Sequence, residues 1–166
     1  MDPAAPQEPT SETATGAAGF LACAVRAAQA AQMQISVLSV NLDRRIYGSE
    51  EFIAPVTAFL LRHERARLRV LLCAPDITMK SGHRLVELGR RLSSRIEFRE
   101  LLPERRASER ELLIVDESAV LLRESVLDVD ARYWLQAPLL ARERLREFET
   151  MWQESPPASE LRSLGL

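Results

Sequence analysis

Lysine is almost missing from this chain: Lys80 stands alone among 22 lysine and arginine residues. Histidine is limited to His63 and His83, cysteine to Cys23 and Cys73, and the six glycines are scattered singly. Each scarcity excludes something. Two cysteines without a CxxC or Cys/His cluster supply neither a disulfide framework nor a zinc site. Both sit among apolar neighbours and read as small buried hydrophobes. No glycine cluster follows a strand, which removes a P-loop or dinucleotide fingerprint, and no serine lies in a G-x-S-x-G elbow. Long hydrophobic runs are lacking too. Phe20–Ala31 is too short to span a bilayer, is interrupted by Arg26 and has no basic region before it, so it is no secretory core. The chain is therefore expected to be cytoplasmic, with no metal and no cofactor.

What is present is ordinary globular composition with an uneven charge. Of 166 residues, 46% are hydrophobic and 28% charged, enough for one domain with a real core. The net charge of −2 divides into −3 over residues 1–61, +6 over 62–110 and −5 over 111–166. The middle third is a band of arginines, whose planar fork suits phosphate or carboxylate. The plainer alternative pairs these arginines with interleaved glutamates on solvated helix faces. A sequence pI near 5.8 argues against general nucleic-acid binding.

Residues 1–15, rich in Pro, Ala, Thr and Glu, read as a disordered leader or linker. Residues 16–155 read as one α/β domain and 156–166 as a tail. Phe20–Gln32 carries a helical stripe, and "MQISVLSV" alternates as a strand. Ser49 is a plausible N-cap for a helix reaching His63, with Glu50 and Glu51 in its first turn. "RLRVLLCA" is a nearly all-apolar strand, Ser81–Leu92 a helix, and "RIEFREL" a third strand. Leu112–Val115 and Ala119–Leu122 flank Asp116-Glu117-Ser118 as a tight hairpin. Pro138 opens a last helix with Ala141, Leu145, Phe148 and Trp152 on one stripe. The alternation predicts a mainly parallel sheet with helices on both faces and a late β-hairpin. Ligands of such sheets bind at strand carboxyl ends, which points to the loop Asn41–Gly48 and the loop after Cys73.

His63 at a helix end reads as a solvated polar residue. His83, near a helix N-terminus, is either a general base or phosphate contact, or an exposed first-turn residue. Arg44, Arg45, Arg105, Arg106 and Arg110 are the candidate anion-binding residues.

The run "ISVLSVNLDRRIYGSEEFIAPVTAFLLRHERARLRVLLCAP", followed by a helix, a strand and "ERELLIVDESAVLLRES", resembles one repeat of the phospholipase D superfamily. That family carries H-x-K-x-x-x-x-D on a hairpin strand: the histidine attacks phosphorus and the lysine neutralises phosphate oxygens. Carried over, the histidine falls on Glu109, the lysine on Glu111 and the aspartate on Asp116. A following G-S-x-N falls on Glu124, Ser125, Val126 and Leu127, so aspartate and serine survive and the rest is lost. Glu109, Glu111, Asp116 and Ser125 are thus a vestigial site on this resemblance. Two carboxylates would repel a phosphodiester. A divalent cation held by Glu109, Glu111 and Asp116 is disfavoured by strand parity, and the alternative is a solvated strand entry of paired Glu and Arg.

The segments "GHRLVELGRRLSSRIEFRE" and "FETMWQES…ELRSLGL" also resemble an uncharacterised bacterial domain often attached to the C-terminus of GNAT-type acetyltransferases. The resemblances imply a catalytically inactive phospholipase D-like binding or interaction module. Its implied partner is a second copy of the chain or an acetyltransferase, with no membrane partner. Trp134, Phe148 and Trp152 are candidates for part of a dimer surface, the latter two alternatively core. A divergent phosphoesterase using His83 and the arginine band is the alternative. A nucleic-acid accessory module is a third.

Overall fold

A computed structural model of the chain describes residues 8–75, 82–105, 110–158 and 161. Seven strands form one sheet: β1 (Ser11–Thr15), β2 (Gln34–Ser39), β3 (Arg67–Leu72), β4 (Ile96–Glu100), β5 (Glu111–Val115), β6 (Ala119–Arg123) and β7 (Asp130–Trp134). The helices are α1 (Gly16–Ala30), α2 (Glu50–Arg62), α3 (Arg84–Arg91) and α4 (Pro138–Glu154), with a 3₁₀ turn at Pro103–Arg105. The strand order is β1-β7-β6-β5-β2-β3-β4.

The α/β class, the helices on both faces and the late hairpin are as the sequence implies. The sheet, however, is mostly antiparallel and not mainly parallel. β2–β3 and β3–β4 pair in parallel, whereas β5–β2, β5–β6, β6–β7 and β7–β1 are antiparallel. The two parallel pairs are joined by helical crossovers through α2 and α3. β5 lies beyond β2, runs against it, and starts a meander of strands joined by short turns.

Alternation sorts the core into two layers. Leu113 and Val115 of β5, with Ile35 and Val37 of β2 and Leu68 and Val70 of β3, pack under α1, α2 and α3. Leu112 and Ile114, with Leu38, Leu71, Val120 and Leu122, pack under α4 through Ala141, Phe148 and Trp152. Strands covered on both faces read as continuous apolar runs whatever their direction, so the pattern did not betray β5 as antiparallel.

Two terminal segments are better ordered than the composition suggests. Residues 11–15 form β1, paired with β7 in register from Ser11↔Trp134 to Thr15↔Asp130, so the leader expected to be disordered over 1–15 contributes a strand. Gly16 then turns the chain into α1 with φ of 67° and its N–H on the Val129 carbonyl at 2.9 Å. At the other end, Pro156–Ala158 lies along the free edge of β4. The Glu100 N–H donates to the Pro156 carbonyl at 3.0 Å and the Ala158 N–H to the Phe98 carbonyl at 3.0 Å.

The expected caps are made locally. The Ser49 hydroxyl accepts from the Phe52 N–H at 3.3 Å, and Glu50 and Glu51 follow in the first turn of α2. Cys23 and Cys73 are buried and form no disulfide. Among the described residues no helix is long and apolar enough to cross a membrane.

Candidate functional site

The register gives the sheet two ends. The carboxyl ends of β2–β4, the start of β5 and the end of β6 share one end, here the upper edge. Glu111 opens β5 there, opposite Arg123 across β6. Its parity matches Leu113 and Val115, so the side chain enters the α1–α2 layer, and it is 4% exposed. Glu111 Oε1 accepts from the Val40 N–H at 3.1 Å. The Ser39 hydroxyl, itself accepting from the Leu42 N–H at 2.9 Å, is a further partner. Burial pushes the Glu111 carboxyl up to about 6, against the pull of the Val40 N–H, the Ser39 hydroxyl and the Arg123 charge.

Around this acid lies a closed polar core under the loop that follows β2. Leu42, Ile46 and Tyr47 of that loop are buried. The Tyr47 hydroxyl is fully enclosed and makes no hydrogen bond of good geometry, and Arg123 Nε is likewise enclosed without one. Burial, and then the Glu111 charge, raises Tyr47 well above the usual phenol range. The Arg123 guanidinium stacks over Phe20 of α1 at 5.5 Å. This set can hold a proton on a carboxyl group and accept hydrogen bonds. It presents no cationic side chain at the lysine position to neutralise a phosphate oxygen.

The other motif positions do not gather here. Glu109 and Arg106 lie outside the described residues. Asp116 caps the lower end of β5, a full strand (about 17 Å) from Glu111. In a left-handed conformation with φ of 51°, its carboxylate accepts from the backbone N–H groups of Gln32, Met33 and Gln34 at 3.0, 2.8 and 2.9 Å. Asp116 therefore fixes the entry to β2. Ser125 accepts from the Leu127 N–H at 3.2 Å within the β6–β7 loop, where Leu127 is 88% exposed. Among the described residues no group of three His, Cys, Asp or Glu side chains could hold a metal ion.

His83 is neither an exposed first-turn residue nor a free base. It is 1% exposed and caps α3: Nδ1 accepts from the Leu85 N–H at 3.1 Å, and Nε2 faces the Leu42 carbonyl at 2.7 Å. An acceptor at Nδ1 and a donor at Nε2 define the neutral tautomer with both nitrogens in use. Burial lowers its pKa, which keeps it neutral.

The candidate arginines also separate. Arg45 forks onto Asp43 at 2.7 Å, and Arg44 is exposed on the same loop. Arg105 pairs with Glu154 through two bonds of 2.8 Å, and Arg110 faces Glu124 and Glu147 at 3.6 and 3.8 Å. Arg105 and Arg110 line a cavity of about 280 Å³ on the α4 side. They do not join the loop arginines in one cleft. Sequence reasoning missed Ser39, Tyr47 and Arg123, whose polar atoms in apolar strand-loop settings were the available signal.

The same architecture recurs in phospholipase D folds. TrmBL2, described as an archaeal chromatin protein with a novel mode of DNA binding, superposes with a TM-score of 0.66 at 14% identity, over 95% of this chain. The chain spans 57% of TrmBL2. Nuc from Salmonella typhimurium, a phospholipase D family member, gives 0.64 at 13% identity, over 90% of this chain and 98% of Nuc. NucT from Helicobacter pylori gives 0.62 at 8% identity, over 90% and 99%. The chain has a phospholipase D-like fold. Residues 16–164 match the family described as a domain of unknown function, DUF7931, and the chain belongs to that family. No curated protein matches it.

Proposed function

We propose that this protein is a phospholipase D-like module without phosphodiesterase chemistry, acting by binding a partner at its upper edge. The observation that carries this reading is Glu111. At the position corresponding to the family's lysine, it holds a buried carboxyl group committed to Val40 and Ser39. A charge of the wrong sign, locked by backbone, opposes a phosphodiester. The alternative phosphoesterase based on His83 loses support because both ring nitrogens are occupied.

The partner is a second copy of this chain or an acetyltransferase of the GNAT type. Leu127 and Val129, 88% and 67% exposed on the β6–β7 loop, supply apolar contact at that edge. The purified protein is expected to leave a chromogenic phosphodiester uncleaved, and the double change Glu109→His with Glu111→Lys is expected to stay inert. Steady turnover by the unaltered protein, lost in Glu111→Ala, overturns the reading.

A further inference from the structure

The lower edge of the sheet, where β2, β3 and β4 begin, carries a different surface. Among the described residues Arg26, Arg45, Arg69, Arg84, Arg99, Arg105, Arg110, Arg142 and Arg144 each face a carboxylate. Arg65, Arg67 and Arg95 have no carboxylate partner among the described residues, and they meet around one cavity of about 500 Å³. Ser93 and Ser94 from the α3–β4 turn line it as well. Glu97 is its one carboxylate among the described lining residues, and Arg99 engages it at 3.1 Å.

These arginines are aimed by the fold. Arg95 Nη1 donates to the carbonyls of Leu60 and His63, the latter at 2.8 Å, closing the C-terminal end of α2. Arg67 Nη1 donates to the Glu64 and Ala66 carbonyls at 2.7 and 2.8 Å. Each guanidinium spends one nitrogen on backbone, and the rest of its fork makes no further hydrogen bond among the described residues. Arg69 differs: Glu149 holds it at 2.6 Å beneath α4. Arg62 and Arg65, both exposed and with no carboxylate partner among the described residues, extend the positive surface along the α2–β3 turn, with exposed Glu64 the one acid between them.

We propose that this lower-edge cavity binds phosphate groups, through the forks of Arg67 and Arg95, the exposed cation of Arg65 and the hydroxyls of Ser93 and Ser94. Pre-oriented guanidinium forks beside hydroxyl donors match phosphate oxygens. Among the described lining residues there is no aromatic side chain, so the ligand is held by its phosphate and not by a stacked base. The source is the backbone of a nucleic acid or a small phosphorylated compound. The site lies at the opposite end of the sheet from Glu111 and does not depend on the upper edge being inert.

The experiment uses the full chain with Arg65→Glu, which breaks no hydrogen bond or ion pair among the described residues, and Arg44→Glu as an equal charge change at the upper edge. Fluorescence anisotropy reads binding of a labelled oligonucleotide at low and moderate salt; thermal shift reads binding of pyrophosphate. Oligonucleotide binding weakened about fivefold or more by Arg65→Glu and not by Arg44→Glu supports the site with a polynucleotide ligand. A pyrophosphate shift lost in Arg65→Glu alone supports it with a small ligand. Absence of both kinds of binding, equal weakening by both variants, or weakening by Arg44→Glu alone overturns it.

Discussion

At the scale of single residues, three polar side chains that resemble catalytic parts hold the fold. Glu111 leads to a pH prediction. Its folded carboxyl titrates at about 6 against an ordinary value of 4.5, so the native state binds more protons than the unfolded chain between those values. Stability therefore falls as pH rises through that window, by roughly 2 kcal/mol in all, and the effect is complete above it. His83 acts in the opposite sense. Its lowered pKa makes stability fall as pH drops below 6.5. The clean readout is thus the melting difference between the unaltered protein and Glu111→Gln, which should shift in favour of Glu111→Gln from pH 4.5 to 6.5. A pH-independent difference would rule out the assignment. His83→Ala strands the Leu85 N–H and the Leu42 carbonyl in a buried place, and should cost about 1–3 kcal/mol in chemical denaturation. Asp116→Ala removes three backbone hydrogen bonds and should cost about 2 kcal/mol or more, with Asp116→Asn intermediate. The motif position of Asp116 was legible in the sequence; its task was not, because a carboxylate that ligates backbone amides leaves no periodic trace.

At the scale of elements, the four helices and the hairpin were legible because each carries its own stripe, cap or turn. Ser49 and the Asp116-Glu117-Ser118 turn are examples. What escaped was strand direction and the two strands at the far side. β1 reads Ser-Glu-Thr-Ala-Thr, with Ala14 as its one buried residue, so a polar edge strand looked like a linker. β7 buries Ala131 and Tyr133 between exposed neighbours, a two-residue pattern too short to stand out. Their joint with the rest of the molecule rests on Gly16. With φ of 67°, any L-residue there is strained although nothing crowds its Cβ. Gly16→Val should therefore cost about 1–2 kcal/mol. Hydrogen exchange should report the loss first in β1 and β7, while β2–β4 stay protected. Uniform loss across the sheet would contradict that division.

At the scale of the whole molecule, the question is which surface remains for a partner. The sheet faces are closed: Phe148 and Trp152, which the sequence offers as dimer surface or as core, are core, 0% and 3% exposed where α4 meets the sheet. The sheet edges are also managed, with Pro156–Ala158 along β4 and the polar β1 at the far side. Trp134 is half-buried at the lower end of β7. Among the described residues, what stays apolar and open at the upper edge is the β6–β7 loop, where Leu127 and Val129 project beside Ser125. A two-fold homodimer, the least demanding way to cover a self-complementary patch, should therefore join upper edge to upper edge. Light scattering over a dilution series is expected to give twice the 18.7 kDa chain mass at high concentration. Leu127→Glu with Val129→Glu places four like charges in that two-fold interface and should return the monomer mass. Both side chains are solvent-exposed, so the melting temperature of the diluted protein should hardly move. A monomer at every concentration removes the homodimer and leaves the upper edge to a different chain. A dimer indifferent to the double change moves the interface elsewhere.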